Sequence, residues 1–164
     1  MLDRLSLRRL IAGCVALLVP LFAIGWLTRE DPADKPLLQI SGGGFIFNYR
    51  VAEVYYGFSA YVMRPLPVGS IIEAEFEDPA GGAAHRARLR VGADTRHYSL
   101  RSPPVRGVEA GRPYHVAIKV FDREEKELIW QHELDIKSQI SDAVVPDQPL
   151  TIGPGYAKNP QVGG

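Results

Sequence analysis

Val108-Glu109-Ala110-Gly111-Arg112-Pro113-Tyr114 leads without a break into His115-Val116-Ala117-Ile118-Lys119-Val120-Phe121. In the second half Tyr114, Val116, Ile118 and Val120 fall at every other position, and side chains two apart share one face of a strand. Lys119 falls on the other face, so the alternation predicts a strand with one dry side. Asp122-Arg123-Glu124-Glu125-Lys126 then reads as a polar turn, and Leu128, Trp130, His132 and Leu134 mark the inner face of the next strand.

Gly111 stands three residues before Tyr114, and Val108 six before it. The arrangement resembles the tyrosine corner of immunoglobulin-like and fibronectin-type sandwiches, in which a tyrosine opening a strand hydrogen-bonds back across an inter-sheet connection. The resemblance covers this segment alone and implies a fold class. On that class the chain is all-β, an immunoglobulin/fibronectin-like Greek-key β-sandwich over residues 37–152, with Gly111, Tyr114 and Trp130 in structural roles.

The sequence upstream has the same period. Phe45–Val51 and Val54–Met63 are rich in aromatic and β-branched residues. In the second run Val54, Tyr56, Phe58, Ala60 and Val62 form one face, and Glu53, Tyr55, Gly57, Ser59, Tyr61 and Met63 form a half-wet other face. Gly42-Gly43-Gly44 lacks the Lys-Ser/Thr element of a phosphate loop and reads as a turn or bulge opening the first long strand. Further on, Ile72, Ala74 and Phe76 alternate with Glu73, Glu75 and Glu77, and beyond Asp78-Pro79-Ala80-Gly81-Gly82 the residues Arg86, Arg88 and Arg90 alternate with Ala87, Leu89 and Val91. Three carboxylates and three guanidinium groups on either side of a glycine-rich turn are what a hairpin with cross-strand charge pairs needs. The alternative for the arginine row is a patch for anionic ligands or phospholipid headgroups.

Leu10–Leu27 contains no charge, and Arg4, Arg8 and Arg9 precede it. Such a run is read as a transmembrane anchor over residues 10–27, so that the lipid bilayer is its first partner. The basic segment 1–9 would stay in the cytoplasm and residues 37–152 would be extracytoplasmic, in a periplasm for a bacterial chain. Trp26 suits the far interface, and Pro20 is expected to open or bend the helix. A cleaved signal peptide is the competing reading, although Ile24-Gly25-Trp26-Leu27-Thr28-Arg29 offers no good small-x-small site. Ile11-Ala12-Gly13-Cys14 resembles a lipobox placed too early in the apolar run, and Arg8-Arg9 only weakly matches a twin-arginine signal. Residues 28–36, with Pro32 and Pro36, form a tether.

The charge total of 19 basic and 19 acidic groups is a sum of unlike parts, because residues 31–164 carry 15 Lys/Arg against 17 Asp/Glu. That slight acidity argues against nucleic-acid binding. Cys14 is the single cysteine, which excludes an internal disulfide, a four-thiolate zinc or iron–sulfur centre and a CxxC redox pair. His85, His97, His115 and His132 stand singly, with no HExxH or His-x-His pair, so no metal and no cofactor are expected. Ser99, Ser102, Ser138 and Ser141 have no nucleophile-elbow context, and no catalytic residue is expected.

What is left is recognition. Tyr55, Tyr61 and Met63 on the wetter face are the candidate contacts for a membrane or extracytoplasmic protein, with Arg86, Arg88 and Arg90 supplying polar selection. Tyr55 and Tyr61 would serve a glycan or small ligand instead if they lined a groove. A metal-binding protein or enzyme requires the scattered polar groups to converge. In the C-terminal stretch Leu150-Thr151-Ile152 suggests a short strand, and residues 153–164, rich in Pro and Gly, read as a tail in which Tyr156 could anchor a partner.

Overall fold

Leu7–Leu27 forms one helix, α1, in which apolar side chains occur all round rather than on one stripe. Its Arg9–Leu27 stretch has a mean hydropathy of 2.4 and is long and apolar enough to cross a membrane. The helix runs unbroken through Pro20, although that residue has no N–H to offer the turn before it. At its end the Thr28 hydroxyl donates to the Ile24 carbonyl at 2.8 Å, and Arg29 lies 6.0 Å from the Trp26 ring.

The structure is a computed structural model that describes residues 7–29 and 35–162. The chain divides into two units, Met1–Lys35 and Pro36–Gly164. Arg4 and most of the expected tether lie outside the described residues. The second unit is a mostly-β domain of three small sheets.

Its strands are β1 (Leu38–Asn48), β2 (Glu53–Val62), β3 (Ile71–Phe76), β4 (His85–Arg90), β5 (His97–Arg101), β6 (Pro113–Phe121), β7 (Leu128–Lys137), β8 (Thr151–Ile152) and β9 (Ala157–Lys158). The sheets have the orders β1-β2-β5, β4-β3-β6-β7 and β8-β9, and the paired strands are antiparallel.

The dry faces read from the sequence meet in one core. Val54, Tyr56, Phe58 and Ala60 of β2 join Ile72, Ala74 and Phe76 of β3 and Tyr114, Val116, Ile118 and Val120 of β6, all buried. Aromatic rings tie the two larger sheets together. Tyr56 stacks on Phe45 at 4.6 Å and meets Phe76 edge-on at 5.2 Å, and Phe45 contacts Tyr114 at 5.5 Å. Such edge and offset contacts add to the burial of the rings themselves.

Tyr114 is fully buried, and its hydroxyl accepts the Glu109 N–H at 2.7 Å while lying 3.4 Å from the Gly107 carbonyl. The buried phenol is therefore satisfied by the connection that leads into its own strand. Gly111 turns that connection with φ +80, a conformation a side chain would strain, and its N–H donates to Ser138.

Three details differ from the sequence expectation. The glycine triad is not the start of a strand: β1 begins at Leu38, and its irregularity falls between Ile40 and Gly42. Trp130 and Leu134 pack on the margin of the core, but His132 is exposed on the edge strand β7, and a register shift beside Val120 sets Leu128 opposite Phe121 on the outer face and packs Ile129 against the core instead. Folded structure also continues beyond Ile152. The β8-β9 pair is held by Thr151 N–H on the Arg50 carbonyl at 3.0 Å, and buried Asn159 donates its side-chain amide to Pro149 at 2.8 Å.

Candidate functional site

The candidate contact residues fall on two separate faces. Tyr55 and Tyr61 lie on the outer face of β1-β2-β5, with Met63 just past the end of β2. Arg86, Arg88 and Arg90 lie on the outer face of β4, in the other sheet, and Tyr156 is exposed between β8 and β9. The arginines therefore do not join the tyrosines in one site.

The arginine row is neutralised at home. Register sets Glu73 opposite Arg88 and Glu75 opposite Arg86. Arg86 holds Glu75 at 2.9 Å, and Arg88 holds Glu73 at 2.5 Å and Glu125 at 2.9 Å. Hydrogen bonding to Arg86 keeps the Glu75 carboxyl below the ordinary range, and hydrogen bonding to Glu73 raises Arg88. The third expected pair does not form. Arg90 sits opposite Ile71 and donates to the Gly69 carbonyl at 3.1 Å, while Glu77 lies beyond the strand and accepts from Arg112 and from the His115 N–H.

The outer face of β1-β2-β5 has a different character. Its cross-strand rows read Ile46–Tyr55, then Gly44–Gly57–Arg101, then Gly42–Ser59–Ser99, then Gln39–Tyr61–His97. The two middle rows are glycine and serine apart from Arg101, whose guanidinium leans to Tyr55, and they lie between two rows of large residues, which makes a trough running across the strands. A cavity of about 600 Å³ opens along it, lined by Gly42, Gly44, Ile46, Tyr55, Ser59 and Arg101 among others. The Ser59 and Ser99 hydroxyls are 2.8 Å apart on the floor. Arg101 lays its guanidinium over the Tyr55 ring at 4.7 Å, and Tyr61 leans on His97 at 4.9 Å.

The glycines of this region are there for different reasons. A side chain at Gly43 would meet Ile136 Cδ1 at 2.9 Å, and one at Gly57 would strike the Leu100 carbonyl. Packing demands both of them. At Gly42 and Gly44 an added Cβ would have nothing within 4 Å, and neither backbone is in the left-handed region. The fold makes no demand for glycine there, and the effect of having it is a bare floor.

Sequence reasoning singled out Tyr55 and Tyr61 but missed Gly42, Gly44, Ile46, Ser99 and Arg101 as their neighbours. A signal was present in the period-two spacing of Gly42, Gly44 and Ile46 and of Tyr55, Gly57, Ser59 and Tyr61. Only the pairing of β2 with β5, some 40 positions on, brings Ser99 to Ser59.

Among the described residues no three His, Cys, Asp or Glu side chains are grouped so as to hold a metal ion. No protein-family model matches the sequence, and a search of curated proteins returns no match. Among solved structures, 62% of this chain aligns with 13% of a calcium-binding mutant of Bacteroides uniformis beta-glucuronidase 2, at 16% identity and a TM-score of 0.35. The chain thus spans only a small part of that enzyme, and a likeness so slight carries neither activity nor ligand across.

Proposed function

We propose that this chain is a membrane-anchored, non-enzymatic accessory or assembly protein whose extracytoplasmic β domain binds a protein partner through the outer face of β1-β2-β5. The trough carries this reading. It is a wide, bare-floored surface edged by the exposed side chains of Ile46 and Tyr61, and exposed apolar groups gathered on one face mark interaction sites. On this reading Tyr55, Tyr61 and Met63 are contact residues. Arg86, Arg88 and Arg90 become a secondary polar surface, and Tyr156 a peripheral contact.

An immunoglobulin/fibronectin-like sandwich is the fold that suits this role. Its support is the division of seven strands into β1-β2-β5 and β4-β3-β6-β7 around one core, together with the Tyr114 hydroxyl bond to Glu109. Arg4, Arg8 and Arg9, ahead of the uncharged run Leu10–Leu27, support an orientation with the amino end in the cytoplasm and the β domain outside, and the lack of a good small-x-small site after the run supports an uncleaved anchor.

A second reading places a glycan or small ligand in the trough, and the presence of Tyr55 in its lining favours it. Against it, Arg101 already lies over the Tyr55 ring, and Tyr61 lies three rows from Tyr55, against His97, so the two rings do not form one stacking platform.

Purifying the full-length chain from native membranes in mild detergent, followed by intact-mass measurement, separates the readings. Protein recognition predicts one stoichiometric protein partner, lost when Tyr61 is changed to Glu. A chain that stays monomeric with a small molecule or metal bound would overturn the proposal.

A further inference from the structure

We infer, resting on the reading above, that the partner places an amphipathic α-helix across the trough and sets one of its carboxylates against Arg101. Three features of the trough lead there. The first is its size and direction. Tyr55 and Tyr61 are six positions apart on β2, so their Cα atoms are roughly 20 Å apart, and a helix about 10–12 Å across fits between the two walls. Across three strands the floor is roughly 10 Å long, which is about two turns of helix.

The second feature is the state of the floor backbone. Gly57 and Ser59 belong to the central strand, and their peptide groups are committed to β1 and β5. An extended peptide crossing the trough would find no ladder to join, because strand addition needs a free edge running parallel to it. A helix brings its own backbone hydrogen bonds and needs only a surface that lets it approach. Gly42 and Gly44, which nothing in the fold requires, provide that surface.

The third feature is charge. Among the described residues no carboxylate is ion-paired with Arg101, whereas Arg86, Arg88 and Arg112 each hold at least one. Stacking on Tyr55 fixes the guanidinium at the trough wall. A planar guanidinium held in place in this way suits a two-pronged bond to a carboxylate. The other charged or titratable side chains of this face are Glu53, paired with Asn48 at the far end, and His97.

The experiment is photo-crosslinking in native membranes, with p-benzoylphenylalanine placed in the full-length chain at Ile46 or at His97 and the crosslinked peptides mapped by mass spectrometry. The helix inference predicts crosslinks within one acidic segment of one protein, at positions three, four or seven apart. Arg101→Glu should lower the yield at least tenfold and Arg101→Lys much less, while Gly44→Leu should match the loss without lowering the melting temperature. Crosslinks at alternate residues or in loops would overturn the helix and leave protein recognition standing. Unchanged yield in Arg101→Glu would overturn the carboxylate. No protein crosslink at either position would overturn the protein-binding reading itself.

Discussion

Gly57→Val should unfold the β domain or lower its melting temperature by roughly 10 °C or more, while Gly44→Ala should leave it as stable as the unchanged chain or slightly more so. The two glycines are cross-strand neighbours, yet their surroundings are opposite. A Cβ on Gly57 would strike the Leu100 carbonyl and come within 2.8 Å of Arg101 Cα and 2.9 Å of Arg101 Cβ. Two of those atoms are backbone, so no rotamer change gives relief. Strand β5 would have to draw away from β2, breaking the pairing from Gly57–Arg101 to Tyr61–His97. The loss, about 3 kcal/mol or more, is a large part of the 5–15 kcal/mol that holds a domain folded. At Gly44 the added methyl meets open space, and relief of glycine's conformational entropy is worth up to about 1 kcal/mol. Thermal unfolding followed by circular dichroism distinguishes these outcomes. Equal destabilisation by both changes would mean that the trough floor is a packing requirement.

Tyr56→Ala should cost about 3–5 kcal/mol, and Tyr56→Phe only about 1 kcal/mol. Tyr56 is fully buried and touches rings from three other strands, Phe45 on β1, Phe76 on β3 and Tyr114 on β6. Alanine leaves those rings facing a void. Phenylalanine keeps the packing and gives up one hydrogen bond, from the Tyr56 hydroxyl to the Glu77 carbonyl at 2.5 Å. The same site has a pH signature. Burial, and after it the negative charges of Glu77 and Asp78, raise the Tyr56 phenol well above its ordinary value. The folded state therefore holds this proton more tightly than the unfolded chain does. Stability from this source is intact below the unfolded pKa of about 10 and is lost as pH rises beyond it. Chemical denaturation between pH 9 and 11 should show a decline that is shallower in Tyr56→Phe. An identical decline in both would place the alkaline sensitivity elsewhere.

Much of the β domain could be read from short-range pattern. Alternation in Val54–Val62, in Ile72–Phe76 and in Tyr114–Val120 specified which side chains enter the core, because a strand's two faces follow directly from sequence parity. The facing charges of Glu73, Glu75, Arg86 and Arg88 were legible for the same reason, with a turn between them to bring the rows together. The third charge pair was not, since a one-position difference in where β3 ends sends Glu77 to Arg112 and His115 instead.

The candidate site was legible only by halves. Tyr55 and Tyr61 share a face by parity, but nothing local says that Ser99 and Arg101 stand beside Ser59 and Gly57. That adjacency comes from the pairing of β2 with β5, which depends on how the whole core closes. Arg101 looked like one arginine among many until its stacking on Tyr55 set it apart from the paired ones. The edge position of β7 explains why His132, on the parity of the core, is nonetheless exposed. The β8-β9 hairpin escaped a reading based on Pro and Gly content because it is closed by Asn159 bonding Pro149 and Leu150 and is held to the domain by Thr151 on the Arg50 carbonyl.

Thiol accessibility in cells tests the proposed recognition face most directly. In a full-length chain with Cys14→Ser, cysteine is introduced at exposed Ser99 on the trough floor or, as a control, at exposed Ala83 in the β3-β4 connection, and labelled with a membrane-impermeant maleimide. An extracytoplasmic domain with an occupied trough predicts that both positions react without lysis of the inner membrane. Ser99→Cys should react at least ten times more slowly in cells than in the purified chain, and Ala83→Cys equally fast in both. Equal rates for Ser99→Cys in cells and after purification would contradict the proposed interface, and labelling of either position only after lysis would contradict the topology.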